Sequence, residues 1–302
     1  MKARAPGKVV LSGAYAVLEG APALVTAVDR YVVADSSQAA TFEAPEVRAA
    51  IPRGPLPHID ASALRRGDRK LGLGSSAAIV VSSLAAVMLD QHPNLTTGEL
   101  ARRVWEPAVD AHQTAQGGGS GIDVVTSAFG GTRKCWLVDG VVHSEAHKLP
   151  KGLMVELYAA RESASTPKML TLVRAWAERE PVAYQRTMKA LKEASTQAAE
   201  ASTVKDFVES VAQQLTHLAQ LGVRSEAPIV PQWLRDLAAW ALIDVVAIHP
   251  SGAGGGDIVL CVGEQDGCQR WRGELGKMGL DRLDVKVNAP GVQRVEAGPV
   301  PA

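Results

Sequence analysis

Cysteine is scarce, net charge is absent, and no apolar run is long enough to span a bilayer. The three cysteines, Cys135, Cys261 and Cys268, form neither a paired framework nor a metal-ligand spacing, which fits a reducing compartment. Lys and Arg total 32, as do Asp and Glu, so no overall basic field recruits nucleic acid. The longest apolar stretch, Ala77 to Leu89, is interrupted by Ser82 and Ser83 and is too short to cross a membrane. At the start, Lys2, Arg4 and Lys8 with Pro6-Gly7 interrupt any apolar signal core. These gaps lead to an expected cytoplasmic protein with neither nucleic acid nor membrane as partner; the expected partner is a small molecule, the expected state a monomer or homodimer.

What is present suits a globular protein. With 302 residues, 46% hydrophobic and 21% charged, a sizeable core fits in one large domain or two ordinary ones. Strands are expected at Lys8–Ser12, ahead of a second apolar run ending near Val33, and then a long loop over residues 44 to 70, where Pro, Gly and Arg recur without periodicity. Ala77–Leu89 reads as a buried helix. Thr97–Ala115 reads as another, capped by Thr96 or Thr97 with Glu99 in its first turn. Beyond an apolar stretch at Val124–Phe129, strands are expected around Lys134–Val138, Val141–Ser144 and Leu153–Ala159. Helical patterns rich in Ala, Leu, Glu, Lys and Gln run from Thr166 to Trp240, where Trp176, Trp233 and Trp240 read as core or interface. Short β-type runs at Val245–Ile248 and Ile258–Val262 flank a glycine cluster, before a helix (Gln269–Met278) and a last strand (Leu283–Val287). The mixed order points to α+β rather than a doubly wound sheet, and the composition shift puts the domain boundary near residue 150, giving domains 1–150 and 151–302.

The segment KLGLGSSAAIVV, residues 70 to 81, sets a flexible loop directly before a regular helix. Gly72-Leu73-Gly74-Ser75-Ser76-Ala77 satisfies the dinucleotide pattern G-x-G-x-x-A, but no hydrophobic strand precedes it, only Arg65-Arg66-Gly67-Asp68-Arg69-Lys70. A Walker A loop fails as well, because Gly7-Lys8 is followed by Val9. Two readings stay open: a helix start whose N–H groups hold phosphate, or an ordinary core helix capped by serines. The Ser75 and Ser76 hydroxyls suit phosphate oxygens or a hard cation such as Mg²⁺.

Three stretches together narrow the choice. APGKVVLSGAYAVLEG (Ala5–Gly20), KLGLGSSAA (Lys70–Ala78) and PSGAGGGDIVL (Pro250–Leu260) resemble, in order, the three motifs of the GHMP kinase superfamily. The resemblance implies a two-domain α+β fold in which ATP phosphates lie on the second motif, Gly72 to Ala77, and catalysis occurs between domains. AHQTAQGGGSGIDVVTSAFGG (Ala111–Gly131) resembles the pattern of the phosphomevalonate kinases, one loop residue shorter, and SASTPKML (Ser163–Leu170) resembles their substrate segment. Aligned on Asp123, mevalonate kinases carry a magnesium-binding Glu where His112 stands, and a neutral imidazole is a poor Mg²⁺ ligand. The implied activity is phosphoryl transfer from ATP, with Mg²⁺, to the phosphate of 5-phosphomevalonate.

The resemblance implies roles that each have a plainer alternative. Lys8, Lys70 and Asp123 are the expected catalytic residues, Lys70 bridging phosphates as charge develops; otherwise the lysines are solvated and Asp123 caps a turn. Ser76 is the expected Mg²⁺ hydroxyl. Acceptor contacts fall to Lys8, Tyr15, His112, Gln116, Ser120, Ser163, Ser165, Thr166 and Lys168. The loop Ser251, Gly252, Ala253 and Gly254 joins them. His112 otherwise reads as a satisfied helix-face histidine, and Thr166-Pro167 as a helix start.

Overall fold

A computed structural model of the chain describes residues 1–160, 166–255 and 257–296. In chain order the strands are β1 (Lys2–Ser12), β2 (Ala23–Ala39), β3 (Pro57–Asp60), β4 (Arg65–Arg66), β5 (Arg69–Lys70), β6 (Thr132–Val138), β7 (Val141–Ala146), β8 (Met154–Ala159), β9 (Val246–Pro250), β10 (Ile258–Gly263), β11 (Asp281–Leu283) and β12 (Gln293–Arg294). The helices are α1 (Pro45–Ala50), α2 (Ser75–Gln91), α3 (Thr97–Gln116), α4 (Ile122–Phe129), α5 (Thr166–Arg179), α6 (Pro181–Glu200), α7 (Val204–Ser225), α8 (Gln232–Ala241) and α9 (Gln265–Lys277). Among the described residues, no helix is long and apolar enough to cross a membrane.

Two compact units share these elements. Unit 1 comprises residues 1–9, 25–133 and 286–302, and unit 2 comprises residues 10–24 and 134–285. The chain therefore passes between units several times, within β1, β2 and β6, rather than once near residue 150. The composition shift at 150 marks the entry into the helix-rich part of unit 2.

In unit 1, β12 and β3 pair antiparallel with β1 and β2, through Ala3 opposite Arg294 and Val33 opposite Asp60. Within unit 1 the strand order is β12-β1-β2, with β3 beside β2. Val25, Thr26, Val28, Val32 and Val33 make β2 a β-branched run that packs well on a pleated surface. Helix α2 is apolar on nearly every face, from Ala77 to Leu89, and such a helix is buried all round. It packs against α1, α3 and α4. The expected loop over residues 44 to 70 is a correction: it holds α1, β3 and the β4–β5 hairpin. Each piece is too short to carry a periodic signal, and each is held by a tertiary neighbour, β2 for β3 and α2 with α3 for α1.

In unit 2, β11-β8-β10-β9 form an antiparallel sheet, with Leu260 opposite both Leu157 and His249. Helices α5 to α8 cover a core that includes Trp176, Met188, Leu191, Leu218, Leu221 and Leu234. Trp176 meets Tyr184 edge to face at 5.8 Å, and Trp233 packs partly buried on the same core. Trp240 departs from expectation and is 68% exposed. In α8 the buried positions are Leu234, Ala238 and Ala241, and the helical period turns residue 240 to the opposite side.

Candidate active site

The loop before α2 is tied down by backbone. The Lys8 N–H donates to the Leu73 carbonyl at 2.8 Å, fixing the loop against β1. Leu73 and Ala77 are buried and anchor the turn, while Gly72 and Gly74 turn the backbone between them. Gly74 has φ +72°, and a Cβ there would sit 2.6 Å from Lys8 Cε. The Lys8 side chain therefore lies across the glycine, an approach that any larger residue blocks. No side chain caps the first turn of α2, so its N–H groups and the positive end of the helix are left for an external anion. Serine capping of this helix does not occur.

A hydrogen-bond chain crosses the start of α2. Ser76 Oγ donates to Glu46 Oε1 at 2.7 Å, and Gln116 Nε2 donates to Ser76 Oγ at 3.1 Å. Gln116 Nε2 also lies 3.2 Å from His112 Nε2, which is 3.8 Å from Asp123 Oδ2. The spacing of His112 and Gln116, four apart on α3, puts both on one helix face. Asp123 stands in the first turn of α4, where the Val124 N–H donates to Oδ1 at 3.0 Å. Burial raises its pKa, but the His112 imidazole, the Lys8 ammonium and the Val124 N–H outweigh it, holding the carboxyl below the usual range.

Sequence-expected residues thus divide. Lys8, Gly72 to Ala77, His112, Gln116 and Asp123 come together in unit 1. Ser120 is half-buried in the loop leading to α4, and Lys70 is exposed on β5, opposite Arg65 in its hairpin. Tyr15 and Ser251 to Gly254 belong to unit 2. There Tyr15 Oη donates to the Ala253 carbonyl at 2.8 Å, and Ser251 Oγ accepts the Val10 N–H at 2.9 Å. Gly254 has φ +86°, and a Cβ would meet the Ile229 carbonyl at 2.2 Å, so this loop packs against unit 2's own backbone. Lys168 is exposed on α5. Ser163 and Ser165 lie outside the described residues, as does the side chain of Thr166.

Glu46 is the site residue missing from the sequence reading. It was inside the expected loop, and the available signal was Pro45 in the first turn of α1, where proline is favoured. With Ser76 it sets two oxygen donors side by side, the chemistry that Mg²⁺ prefers. Among the described residues no three His, Cys, Asp or Glu side chains converge into a metal cage. A cation here would complete its shell from water or a bound phosphate.

Residues 46–131 match the model of the GHMP kinases N terminal domain. The chain is 26% identical to a mevalonate kinase of Archaeoglobus fulgidus over 277 residues, covering 86% of this chain and 91% of that protein. It is also 26% identical, over 273 residues, to a phosphomevalonate kinase of Gibberella zeae, covering 74% of this chain and 61% of that one. The structure of Streptococcus pneumoniae phosphomevalonate kinase in complex with phosphomevalonate and AMPPNP is similar with TM-score 0.78 at 17% identity, over 95% of this chain and 99% of that one. Residues 46–131 are a GHMP kinases N-terminal domain, carried by a chain with the GHMP kinase fold.

Proposed function

We propose that the protein is an ATP- and Mg²⁺-dependent kinase that phosphorylates the phosphate of 5-phosphomevalonate, giving 5-diphosphomevalonate in the mevalonate route to isoprenoids. The observation that carries the kinase reading is the uncapped start of α2 beneath Lys8. The N–H groups of Gly72 to Ser76 receive the nucleotide phosphates, and Lys8 offsets charge that spreads over the transferred phosphoryl oxygens. Lys70 adds a cation on the approach. Mg²⁺, which Ser76 helps to hold, neutralises phosphate charge and orients the nucleotide.

Asp123 is assigned to orienting Lys8. A general base works best with a pKa near the operating pH, and this carboxyl is held low, partly by Lys8 itself. A phosphate acceptor has little need of a base, because its second pKa of about 6 leaves it largely ionised at neutral pH. Acceptor binding is assigned to Tyr15, His112, Gln116, Ser120, Ser163, Ser165, Thr166, Lys168 and the Ser251–Gly254 loop. The stretch from Ala111 to Gly131 supports phosphomevalonate as acceptor. The second reading is mevalonate, favoured by the Archaeoglobus relative that aligns along 91% of its length.

ADP release with mevalonate, phosphomevalonate, diphosphomevalonate, homoserine and galactose tests both. Phosphomevalonate is expected to give the highest kcat/KM. Turnover of mevalonate at an equal or higher rate overturns the acceptor assignment. ATP binding in calorimetry without ADP release from any of the five makes the chain a nucleotide-binding regulator.

A further inference from the structure

Glu46 is buried in an unusual position. The residue is 9% exposed, stands in the first turn of α1 and is held there by packing of α1 on α2 and α3. Oε1 accepts the Ser76 hydroxyl at 2.7 Å, and Oε2, without a protein donor among the described residues, reaches solvent. No Lys, Arg or His among those residues pairs with it; the nearby Arg48 is engaged by Glu43 at 2.8 Å. A carboxylate without a paired cation keeps its negative charge for its surroundings, and one hydroxyl offsets only part of it.

A conflict arises when the start of α2 receives a polyphosphate, because two anions then compete for one positive helix end. A divalent cation between them resolves it. We propose that Glu46 is the protein carboxylate that ligates the nucleotide-bound divalent cation, beside Ser76 Oγ. The proposal rests on the kinase reading for the presence of a nucleotide at α2. The carboxylate arrives from α1, about thirty residues before the glycine loop, so the metal site depends on a segment whose sequence looks like loop. Ser76 Oγ accepts one hydrogen bond from Gln116, which leaves it one further lone pair for a ligand. One carboxylate, one hydroxyl and phosphate oxygens form the partial protein shell typical of Mg²⁺ sites.

Mn²⁺ binding read by electron paramagnetic resonance, with AMPPNP in place of ATP, tests this without turnover. Glu46→Gln retains an oxygen for the Ser76 hydroxyl but loses the charge. Since removing a partner merely behind a ligand costs about 10- to 100-fold in metal affinity, Glu46→Gln is expected to weaken Mn²⁺ in the ternary complex at least about tenfold. AMPPNP affinity without metal should stay level or rise. Unchanged Mn²⁺ affinity in a folded variant overturns the proposal. Should the variant not fold, Fe²⁺-directed oxidative cleavage of the wild-type AMPPNP complex replaces it. Cuts near both residues 46 and 76 support the proposal, and a cut at 76 without one at 46 overturns it. The outcomes separate from those of the acceptor panel. Wild-type turnover with unchanged Mn²⁺ affinity sinks only the Glu46 assignment, whereas weakened Mn²⁺ without turnover of any acceptor sinks only the kinase.

Discussion

Helices α2 and α3 lie packed together and start in opposite ways. At α3, Thr96 Oγ1 accepts the Glu99 N–H at 3.3 Å, while Glu99 Oε2 accepts the Thr96 N–H at 2.9 Å, closing both ends of a capping box. At α2, the cap is Gly74, with no side chain closing the first turn. The same backbone donors are used up internally in one helix and left available in the other. Helices α4, α6, α8 and α9 also start without a side-chain cap, so what sets α2 apart is the Lys8 side chain lying across its glycine cap.

The largest effect expected from testing that contrast comes from Lys8, which covers the open end. Lys8→Ala should lower kcat by roughly two to three orders of magnitude, the range for loss of one electrostatic stabiliser, in steady-state ADP release. An unchanged kcat with a lowered melting temperature would reduce Lys8 to packing over Gly74.

Two buried histidines sharpen the same theme at lower amplitude. His112 and His249 are each 5% exposed. His112 has Gln116 and Asp123 as neighbours, whereas His249 Nδ1 donates to the Pro250 carbonyl at 3.0 Å and its Nε2 has no partner. Burial holds His249 neutral, with its pKa lowered from 6.5 to about 4. The unfolded chain therefore takes up a proton that the folded one refuses. Stability is fully present above pH 6.5 and is lost as pH falls toward 4, by about 3 kcal/mol in all. Urea midpoints across that window should drop in the wild type, and His249→Leu should lack this part of the drop. An equal drop in both would show that other groups cause it.

The smallest expected effect lies at the closed helix start. Thr96→Ala should cost about 1 kcal/mol in urea unfolding and leave kcat and KM for ATP unchanged. A shift in either kinetic constant would mean that the capped end of α3 also serves the site.

Much of this was legible along the chain. Helix α3, with Thr96 and Glu99 three apart, and the long buried α2 carry local signals that survive without tertiary context. Gly72 and Gly74 before α2 marked a sharp backbone turn into the helix, because left-handed glycine conformations are properties of the segment itself. The three motifs pointed to the GHMP kinase fold. Other elements were hidden. The edge strand β3 exists because β2 offers it hydrogen bonds, from Val33 opposite Asp60 to Ala39 opposite Pro57. Trp240 reads as core or interface by composition, and the phase of α8 turns it outward rather than into the core.

The sequence by itself determined where backbone donors would be closed and where they would stay open, since capping and glycine conformations are settled within a few residues. Only the tertiary structure decided what stands opposite the open donors. Ser76 meets Glu46 across thirty positions and Gln116 across forty, and Tyr15 gives its hydroxyl to Ala253 across 238. Such meetings depend on how α1, α2 and α3 pack and on where the loop after β9 lies, and no local propensity encodes them, because packing energy is shared among residues far apart in the chain.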